Sequence, residues 1–186
     1  MIAGLILAAG ASRRFGAIKQ LAQLEGRPLL AHAVDAMSGV EEIDEILVVL
    51  GSSAREIADA VDLTKVNVLV CDQWHEGMAA PLRAGVQRLA QHGADAVVIT
   101  LADQPLITSE AIAAVIACAG PLCQGARATY GGRPGHPVLI KKELFAHVGE
   151  LCGDVGAREI LSAAKLSECE CQGIGSDRDF DTPDLL

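Results

Sequence analysis

The run Ile-Ala-Gly-Leu-Ile-Leu at positions 2–7 contains no charged or polar side chain, and a glycine-containing segment, 8–19, follows it directly. Three later runs are nearly as apolar and are rich in Val and Ile: 46–50, 66–70 and 96–101. Strands that helices cover on both faces show continuous apolar runs, whereas half-exposed strands alternate apolar and polar residues. The four runs therefore predict strands of a parallel sheet, buried on both faces.

Helix-length segments lie between these runs. Their start signals are Pro28, the capping-box pair Ser53 and Glu56, Pro81, and Thr108 or Ser109. Strands that alternate with helices are joined by right-handed crossovers. We therefore predict the α/β class and, within it, a three-layer α/β/α sandwich with a Rossmann-like, mostly parallel sheet.

The pattern changes after Pro121. It predicts strands at 126–130 and 138–140, a glycine-rich loop at 130–135, helices at 142–148 and 155–164 with Asp154 as the cap of the second, and an edge strand at 166–171. No repeat, low-complexity segment or linker interrupts the sequence, so we expect residues 1–186 to form a single domain.

The overall charge excludes several classes of partner. The 186 residues include 15 Lys and Arg against 24 Asp and Glu, a net charge of −9, and only 3% are aromatic. Such a chain repels polyanions and offers few stacking platforms, so we expect no binding to nucleic acid. No basic segment precedes the first apolar run, and glycine and proline interrupt the longest uncharged stretch, so we expect a cytoplasmic protein without a signal peptide or membrane contact, and with reduced cysteines.

The loop after the first run carries the strongest functional signal. Within residues 1–33, four side chains are basic and only Glu25 is acidic. Ligands of parallel sheets bind beyond the carboxyl ends of the strands, and small residues there let the backbone approach a phosphate, while Arg14 and Lys19 add positive charge. Neither GxGxxG nor a Walker Gly-Lys-Ser/Thr is present. The alternative is a glycine-rich turn with two solvated cations.

Asp103 follows the fourth apolar run. Because Pro105 disfavours helical geometry at Gln104, the chain should turn there and leave Asp103 facing the same crevice. Mg²⁺ usually takes one or two carboxylates together with substrate phosphates, so Asp103 suits a metal ligand, and Asp179 or Asp181 could supply a second carboxylate. The alternatives are a turn or cap residue at Asp103 and a solvated acidic tail.

Three further segments combine glycine with polar side chains. Segment 77–85 opens the third predicted helix, and its start could serve a ribose or a phosphate. Segment 132–137 indicates a shaped loop for an acceptor, although a lone histidine such as His136 is usually structural. Segment 153–158 is most simply a capped helix start, with Arg158 available for an anion. No nucleophile elbow or triad is present, so covalent hydrolase chemistry is disfavoured.

Taken together and in order, these motifs resemble those of the MobA-like nucleotidyltransferase family over nearly the whole chain. The matching motifs are the loop at 7–19, Gly-Met…Leu-Arg-Ala-Gly at 77–85, Ala-Asp-Gln-Pro at 102–105, Arg-Pro-Gly-His-Pro at 133–137, Gly-Asp-x-Gly-Ala-Arg at 153–158 and Asp-x-Asp-Thr-Pro at 179–183. The resemblance implies the fold of nucleotide-diphospho-sugar transferases. It also implies transfer of a nucleoside monophosphate from an NTP to a phosphorylated acceptor, with release of pyrophosphate.

The resemblance also implies roles for individual residues. The implied catalytic residues are Arg14, Lys19 and Asp103, and Asp103 with Asp181 would bind Mg²⁺, Asp179 being the less favoured second ligand. The implied nucleotide-binding residues are Leu7, Ala8, Ala9, Gly10, Ser12, Arg14, Lys19, Met78, Ala79, Pro81, Leu101 and Ala102. The expected acceptor-binding residues are Arg133, Gly135, His136 and Arg158.

The expected substrates are CTP and a molybdopterin-type acceptor. Relatives that use GTP resemble Leu-Ala-Gly-Gly in the first loop, and the methyl group of Ala9 disfavours a purine by about 1–3 kcal/mol. Ala79, Ala80 and Pro81 stand where members of the family usually have hydroxyl residues, so we expect backbone groups to replace a side-chain hydrogen bond to the nucleotide there.

Three alternatives remain open from the sequence. The same chemistry suits another small acceptor, such as a sugar phosphate or a polyol phosphate. An NAD(P)H-dependent reductase is a second alternative, against which the missing GxGxxG counts. The third is a binding module that hands a cofactor to a molybdenum hydroxylase, which is also the candidate recipient of an enzymatic product.

Overall fold

A computed structural model describes residues 1–10, 15–154 and 157–180 of the chain. The strands in these ranges are β1 Ile2–Ala8, β2 Gln23–Leu24, β3 Arg27–Pro28, β4 Glu45–Leu50, β5 Asn67–Val70, β6 Ala96–Leu101, β7 Gly125–Tyr130, β8 Arg133–Lys141 and β9 Leu166–Glu170. The α-helices are α1 Leu29–Ser38, α2 Ala54–Ala60, α3 Ala79–Gln91, α4 Ser109–Cys118, α5 Phe145–Gly149 and α6 Arg158–Ala163. Short 3-10 turns lie at Lys19–Leu21, Asp72–Glu76 and Lys142–Leu144.

Seven strands form one sheet in the order β5-β4-β1-β6-β8-β7-β9, and β2 pairs with β3 in a separate hairpin. Strands β5, β4, β1 and β6 are parallel neighbours. Strand β8 is antiparallel to both β6 and β7, and β9 is parallel to β7. The sheet is thus mostly parallel, as predicted, with β8 as its reversed strand.

Two apolar cores cover the two faces of this sheet. Along β1 the side chain of Ile6 joins the core under α1, α2 and α4, whereas that of Leu5 joins the core under α3, α5 and α6. Both side chains are fully buried, because successive residues of a strand point to opposite faces. A continuous apolar run at the centre of the sheet therefore serves both cores, which makes the protein the predicted three-layer α/β/α sandwich.

Helix α3 packs closely against the sheet at Gly85. A Cβ atom built on Gly85 would lie 2.6 Å from Cδ1 of Leu5 and 3.0 Å from Cγ2 of Val49. A side chain at this position would push α3 away from β1 and β4. The glycine therefore allows α3 to pack directly on β1 and β4.

Of three predicted helix caps, the structure confirms one and differs at two. Thr108 caps α4 as expected, since its Oγ1 accepts a hydrogen bond from the amide N of Ala111 at 3.1 Å. Ser53 precedes α2 but its side chain makes no capping bond, because its backbone is left-handed (φ 58°) rather than extended. Helix α6 begins at Arg158, so the prediction of Asp154 as its cap is wrong.

The apolar run at 66–70 is not buried on both faces as predicted. It forms β5, the edge strand beside β4, and the side chains of Val68 and Val70 are 42% and 51% exposed. An apolar run indicates a strand, but its place in the sheet is set by the order of strands, which the run does not encode.

The predicted glycine-rich loop at 130–135 is mostly strand. Gly131 and Gly132 have φ angles of 60° and 76° and form a two-residue turn, which is the usual connection of a tight hairpin. Pro134 is compatible with the strand because residues 133–135 pair only with β7, while the pairing of β8 with β6 begins at Val138. The hairpin therefore extends beyond the end of β6.

The carboxyl ends of β1, β4, β5 and β6 share one edge of the sheet, because these strands are parallel. The segments 9–18, 51–53, 71–78 and 102–108 all begin at that edge. None of the helices in the described ranges is both long and apolar enough to cross a lipid bilayer. All six cysteines are free thiols.

Candidate active site

A cleft with a volume of about 470 Å³ opens at this edge of the sheet. The ends of β1 and β6 contribute to its lining, together with the 3-10 turn at 19–21, the segment that leads into α3, and one residue of the 151–154 segment. The lining residues are Leu7, Ala8, Ala9, Gly10, Lys19, Gln20, Trp74, His75, Gly77, Met78, Pro81, Leu101, Ala102, Asp103 and Asp154.

Gln20 fixes the backbone that follows β1. Its side chain is buried, and its Nε2 donates hydrogen bonds to the carbonyl oxygens of Ala8 at 2.8 Å and Gly10 at 3.1 Å. These carbonyls lie at and beyond the end of the strand, where the ladder with β4 and β6 stops. A side chain thus replaces strand pairing and fixes the backbone at residues 8 and 10 beside the cleft.

Lys19 and Asp103 form an ion pair on the cleft, with Nζ and Oδ2 2.6 Å apart. Their side chains are 12% and 30% exposed, so solvent screens the pair less than it screens a surface ion pair. The carbonyl oxygen of Asp103 also accepts a hydrogen bond from the amide of Phe180 at 3.0 Å. The pair therefore joins the first loop, the loop after β6 and the C-terminal segment at one point.

The segment at 151–154 is attached to the start of α3 by backbone contacts. The amide of Ala79 donates to the carbonyl oxygen of Gly153 at 3.0 Å. Gly77 has a φ angle of 113°, and a Cβ atom built on it would lie 2.4 Å from the carbonyl carbon and oxygen of Gly153. The guanidinium of Arg83 donates to the carbonyl oxygen of Leu151 and lies 3.6 Å from a carboxylate oxygen of Glu76.

The side wall of the cleft is apolar and aromatic. The single tryptophan of the chain, Trp74, is half-buried there, and its ring meets that of His75 edge-to-face with 6.1 Å between centroids. Met78 is 60% exposed on the same wall. A Cβ atom on Gly51 would lie 2.6 Å from Cβ of Trp74 and 2.7 Å from the carbonyl oxygen of Ala9, so the missing side chain lets the wall and the first loop meet.

The C-terminal segment is held against the loop after β6. Gln104 is buried, and its Nε2 donates to the carbonyl oxygen of Asp177 at 3.0 Å and to Oδ1 of Asp179 at 2.9 Å. Phe180 is also buried, and the guanidinium of Arg178 lies 5.4 Å from the centre of its ring. One carboxylate oxygen of Asp179 is thus engaged by Gln104, which leaves this residue a poorer metal ligand than a carboxylate aimed into the cleft.

The hairpin of β7 and β8 brings His136 and Gly135 to the other side of Asp103. Burial lowers the pKa of the half-buried His136, although the negative charges of Asp103 and Asp177 oppose the shift. The hydroxyl of Tyr130 donates to the carbonyl oxygen of His136 at 2.8 Å. A Cβ atom built on Gly135 would lie 2.1 Å from Oδ2 of Asp177, so this side of the site consists of the hairpin and the C-terminal segment in contact.

Glu170 holds the tip of this hairpin. Its carboxylate accepts hydrogen bonds from the amides of Gly131 at 3.0 Å and Gly132 at 3.2 Å, from the amide of Gln172 at 3.0 Å and from Oγ1 of Thr129 at 3.1 Å. The bond from the Gln172 amide, followed by that from the Gly131 amide, lowers the pKa of the carboxyl group. An ionised side chain of β9 thus satisfies both amides of the turn.

The residue types fit a divalent cation that is bound together with a phosphorylated ligand. Within the described ranges, no group of three or more His, Cys, Asp and Glu residues is placed to hold a metal by itself. Asp103 places a carboxylate on the cleft, next to the ammonium group of Lys19. Mg²⁺ commonly needs only one or two carboxylates when phosphates complete its coordination. The metal would thus be held jointly by Asp103 and the ligand.

The structure brings many of the predicted residues together. Ten of them line the cleft: Leu7, Ala8, Ala9, Gly10, Lys19, Met78, Pro81, Leu101, Ala102 and Asp103. Ala79 is fully buried and does not line it. Arg133, Gly135 and His136 lie on β8 outside the lining, and Arg133 is exposed at the hairpin tip. Ser12, Arg14 and Asp181 lie outside the described residues, and of Arg158 only the backbone, at the start of α6, is described.

Several residues of the site were not predicted from the sequence. Gln20, Trp74, His75 and Asp154 line the cleft, and Glu170 holds the hairpin. The Gly-Gly pair at 131–132 between two strand-like segments was a signal for a tight hairpin. Gln20 and Glu170 had no local signal, because their partners lie elsewhere in the chain.

Comparison with known proteins gives matches over most of the sequence. The profile of a family described as "MobA-like NTP transferase domain" matches residues 4–169. The purine catabolism protein PucB of Bacillus subtilis (strain 168) is 30% identical over 192 residues, which span 97% of this chain and 92% of PucB. A shorter match is a ribitol-5-phosphate cytidylyltransferase of Streptococcus agalactiae serotype Ia, which is 30% identical over 61% of this chain and 50% of the relative. Another is a probable molybdenum cofactor guanylyltransferase of Thermococcus sibiricus, which is 31% identical over 56% of this chain and 49% of the relative.

Solved structures match over almost the whole chain. Rv0371c of Mycobacterium tuberculosis H37Rv superposes with a TM-score of 0.88 at 28% identity, over 98% of this chain and 93% of that one. A manganese complex of the same protein gives a TM-score of 0.79 at 26% identity, over 96% and 92%. A CMP:2-keto-3-deoxy-manno-octonic acid synthetase in complex with CTP superposes with a TM-score of 0.78 at 13% identity, over 99% of this chain and 94% of that one, and this likeness concerns the fold alone.

Proposed function

The chain belongs to the MobA-like NTP transferase domain family, and on that premise we propose that it transfers CMP from CTP to Mo-molybdopterin and releases pyrophosphate. Its fold is that of nucleotidyltransferases of the nucleotide-diphospho-sugar type. The observation that carries the proposal is the ion pair of Lys19 and Asp103 on the cleft at the ends of β1 and β6. It puts a cation for the triphosphate next to a carboxylate for a metal.

The proposed chemistry needs positioning and charge rather than a protein nucleophile. An oxygen of the acceptor phosphate attacks the α-phosphorus of CTP, and the bond from that phosphorus to the oxygen bridging to the β-phosphate breaks, so pyrophosphate leaves with the electron pair. Lys19, together with Arg14, would bind the triphosphate and offset the charge that develops on the leaving group. A divalent cation bound by Asp103 and Asp181 would supply further positive charge at the phosphates.

Support for a divalent cation comes from the residue types and from one relative. Asp103 is an oxygen donor on the cleft, and the relative Rv0371c has been solved in complex with manganese. We propose Mg²⁺ as the working cofactor, since it is bound through one or two carboxylates and substrate phosphates in comparable sites. Because Gln104 donates a hydrogen bond to Oδ1 of Asp179, this carboxylate cannot offer both of its oxygens to a metal. This favours Asp181 as the second ligand.

Cytosine is proposed as the base on the evidence of the first loop. Ala9 lines the cleft where a glycine would leave more room, and its carbonyl oxygen and Cβ lie against Gly51. The relatives include both a cytidylyltransferase and a probable guanylyltransferase, so similarity does not choose between the two bases. One methyl group discriminates by only about 1–3 kcal/mol, so other contacts to the base must contribute to the choice.

The acceptor site is proposed on the hairpin side of Asp103. Gly135 lies against the carboxylate of Asp177, the charges of Asp103 and Asp177 act on His136, and Arg133 and Arg158 would add positive charge for an acceptor phosphate. A second candidate acceptor is a polyol phosphate, since a ribitol-5-phosphate cytidylyltransferase is among the relatives. A molybdenum hydroxylase would receive the product of the molybdopterin reaction.

A pyrophosphate-release assay tests the proposal directly. The purified chain is incubated with Mg²⁺, with CTP or GTP, and with molybdopterin or ribitol 5-phosphate, and the nucleotide product is identified by mass. We expect pyrophosphate and a cytosine dinucleotide only with CTP and molybdopterin. Turnover with GTP alone would overturn the base, turnover with ribitol 5-phosphate alone would overturn the acceptor, and NADPH oxidation without pyrophosphate would favour a reductase.

A further inference from the structure

The ion pair on the cleft joins two residues that the proposed function gives to different partners, Lys19 to the triphosphate and Asp103 to the divalent cation. Nζ of Lys19 lies 2.6 Å from Oδ2 of Asp103, and only 12% of the lysine side chain is exposed. A protein cation therefore already stands at the oxygen that a metal would use.

We propose that Lys19 neutralises Asp103 until the nucleotide arrives, so that the chain binds a divalent cation well only together with the triphosphate. This inference rests on the proposed function. A second cation at the same carboxylate would meet the ammonium group at close range in a partly desolvated place, where like charges repel more strongly than in water.

The nucleotide removes this conflict because it brings its own negative charge. The triphosphate accepts the ammonium group of Lys19, and the carboxylate of Asp103 is then released for the metal. The long, flexible stem of lysine allows such an exchange by side-chain rotation. Gln20 holds the carbonyls of Ala8 and Gly10, so the backbone at these two positions keeps its place while the side chain of Lys19 moves.

The exchange makes metal and nucleotide affinities depend on each other through one residue. Linkage requires that whatever CTP adds to the affinity for the metal, the metal adds equally to the affinity for CTP. A merely structural ion pair makes a different prediction, since its removal loosens the site and weakens both ligands. The direction of the two effects therefore separates the roles.

The test measures the two affinities separately in Lys19→Met. Binding of Mn²⁺ to the nucleotide-free chain is followed by the EPR signal of free Mn²⁺. Binding of CTP at saturating Mn²⁺ is followed by the fluorescence of Trp74, the single tryptophan, which lines the cleft. Lys19→Arg keeps the charge. Arg27→Met is the matched control, because it removes one positive charge from an exposed ion pair with Asp35 outside the cleft lining.

We expect Lys19→Met to bind Mn²⁺ without nucleotide about tenfold more tightly than the wild type, and to bind CTP about tenfold more weakly. Lys19→Arg and Arg27→Met should keep the weak Mn²⁺ binding of the wild type, and Asp103→Asn added to Lys19→Met should abolish the gain. Mn²⁺ binding to Lys19→Met that is no tighter than in the wild type overturns the inference. A wild-type chain that couples Mn²⁺ to CTP but releases no pyrophosphate refutes the proposed function and leaves the exchange standing.

Discussion

On one side of Asp103, two backbone segments of the cleft contact each other directly at Gly77 and Gly153, and on the other side a hairpin and the C-terminal segment meet through side-chain contacts. Two glycines illustrate the contrast. The missing side chain of Gly77 faces the backbone of Gly153 at 2.4 Å, whereas that of Gly135 faces the carboxylate of Asp177 at 2.1 Å. Backbone cannot yield without moving a whole segment, but a carboxylate can rotate away.

This difference indicates that amino-acid substitutions are tolerated less well on the cleft side than on the hairpin side. Backbone that is fixed in place suits the binding of a nucleoside triphosphate, because preorganised backbone contacts need no reordering on binding, although the side chain of Lys19 exchanges its partner. A side held by side chains can be altered residue by residue, which suits an acceptor that differs among nucleotidyltransferases of one fold. Four substitutions test whether the two sides differ in this way.

The largest effect is expected from the residue between the two sides. Asp103→Asn keeps the shape but removes the charge, and we expect transfer to fall by roughly a thousandfold, the usual loss when a metal or charge-stabilising group is removed. The rate of pyrophosphate release measures the loss. Asp95→Asn, at the opposite end of β6, is the control and should keep near wild-type activity. An unchanged rate in Asp103→Asn would contradict its assignment.

Gly77→Ala tests the rigid side. The φ angle of 113° and the contact with the carbonyl of Gly153 leave no space for a methyl group, so the start of α3 and the 151–154 segment must separate. We expect a loss of stability of about 2–4 kcal/mol and a raised KM for CTP. Thermal unfolding and steady-state kinetics measure the two effects. Gly120→Ala, with open space around it, is the control.

Gly135→Ala tests the side held by side chains. The added methyl group displaces the carboxylate of Asp177, which can rotate, so we expect little loss of stability. The KM for the acceptor should rise by about tenfold, while the KM for CTP stays the same. A rise in the KM for CTP that equals the rise for the acceptor would show that the two sides are not separate.

Glu170→Gln is expected to have the smallest effect. The amide keeps one oxygen for the turn but loses the charge and the second acceptor, so the KM for the acceptor should rise by about threefold. Glu168→Gln is the matched control, because Glu168 lies on the same strand and pairs with Arg127 rather than with the turn. A larger effect from Glu168→Gln would exclude a special role for Glu170.

The effect of Glu170→Gln on the stability of the fold should depend on pH. The pKa of Glu170 is lowered in the folded chain, so its ionised form stabilises the fold above the ordinary glutamate pKa, and this contribution is lost as the pH falls through the lower, folded-state value. The stability difference between wild type and Glu170→Gln should therefore be present at neutral pH and shrink in acid. Denaturant unfolding at several pH values measures it.

Much of the fold could be predicted from local pattern. The continuous apolar runs identified β1, β4, β5 and β6, and their alternation with helices identified the layers. The same pattern misplaced β5 as a buried strand, because apolar composition does not encode which strand lies at an edge. It also gave a loop where β8 begins, because glycine and proline ordinarily interrupt strands, and here pairing with β7 alone accommodates Pro134.

The local sequence pattern is enough to predict most of the strands, the parallel direction of β1 and β6, and hence the edge of the sheet at which Lys19 and Asp103 were expected to face a ligand. The contact between these two residues, the bonds from Gln20 to residues 8 and 10 and the bonds from the hairpin turn to Glu170 become visible only in the folded chain. The cause is the distance along the sequence over which each signal acts. Periodicity and turn residues act over a few positions, whereas the contact of Lys19 with Asp103 joins residues 84 positions apart, and such contacts exist only after the chain has packed.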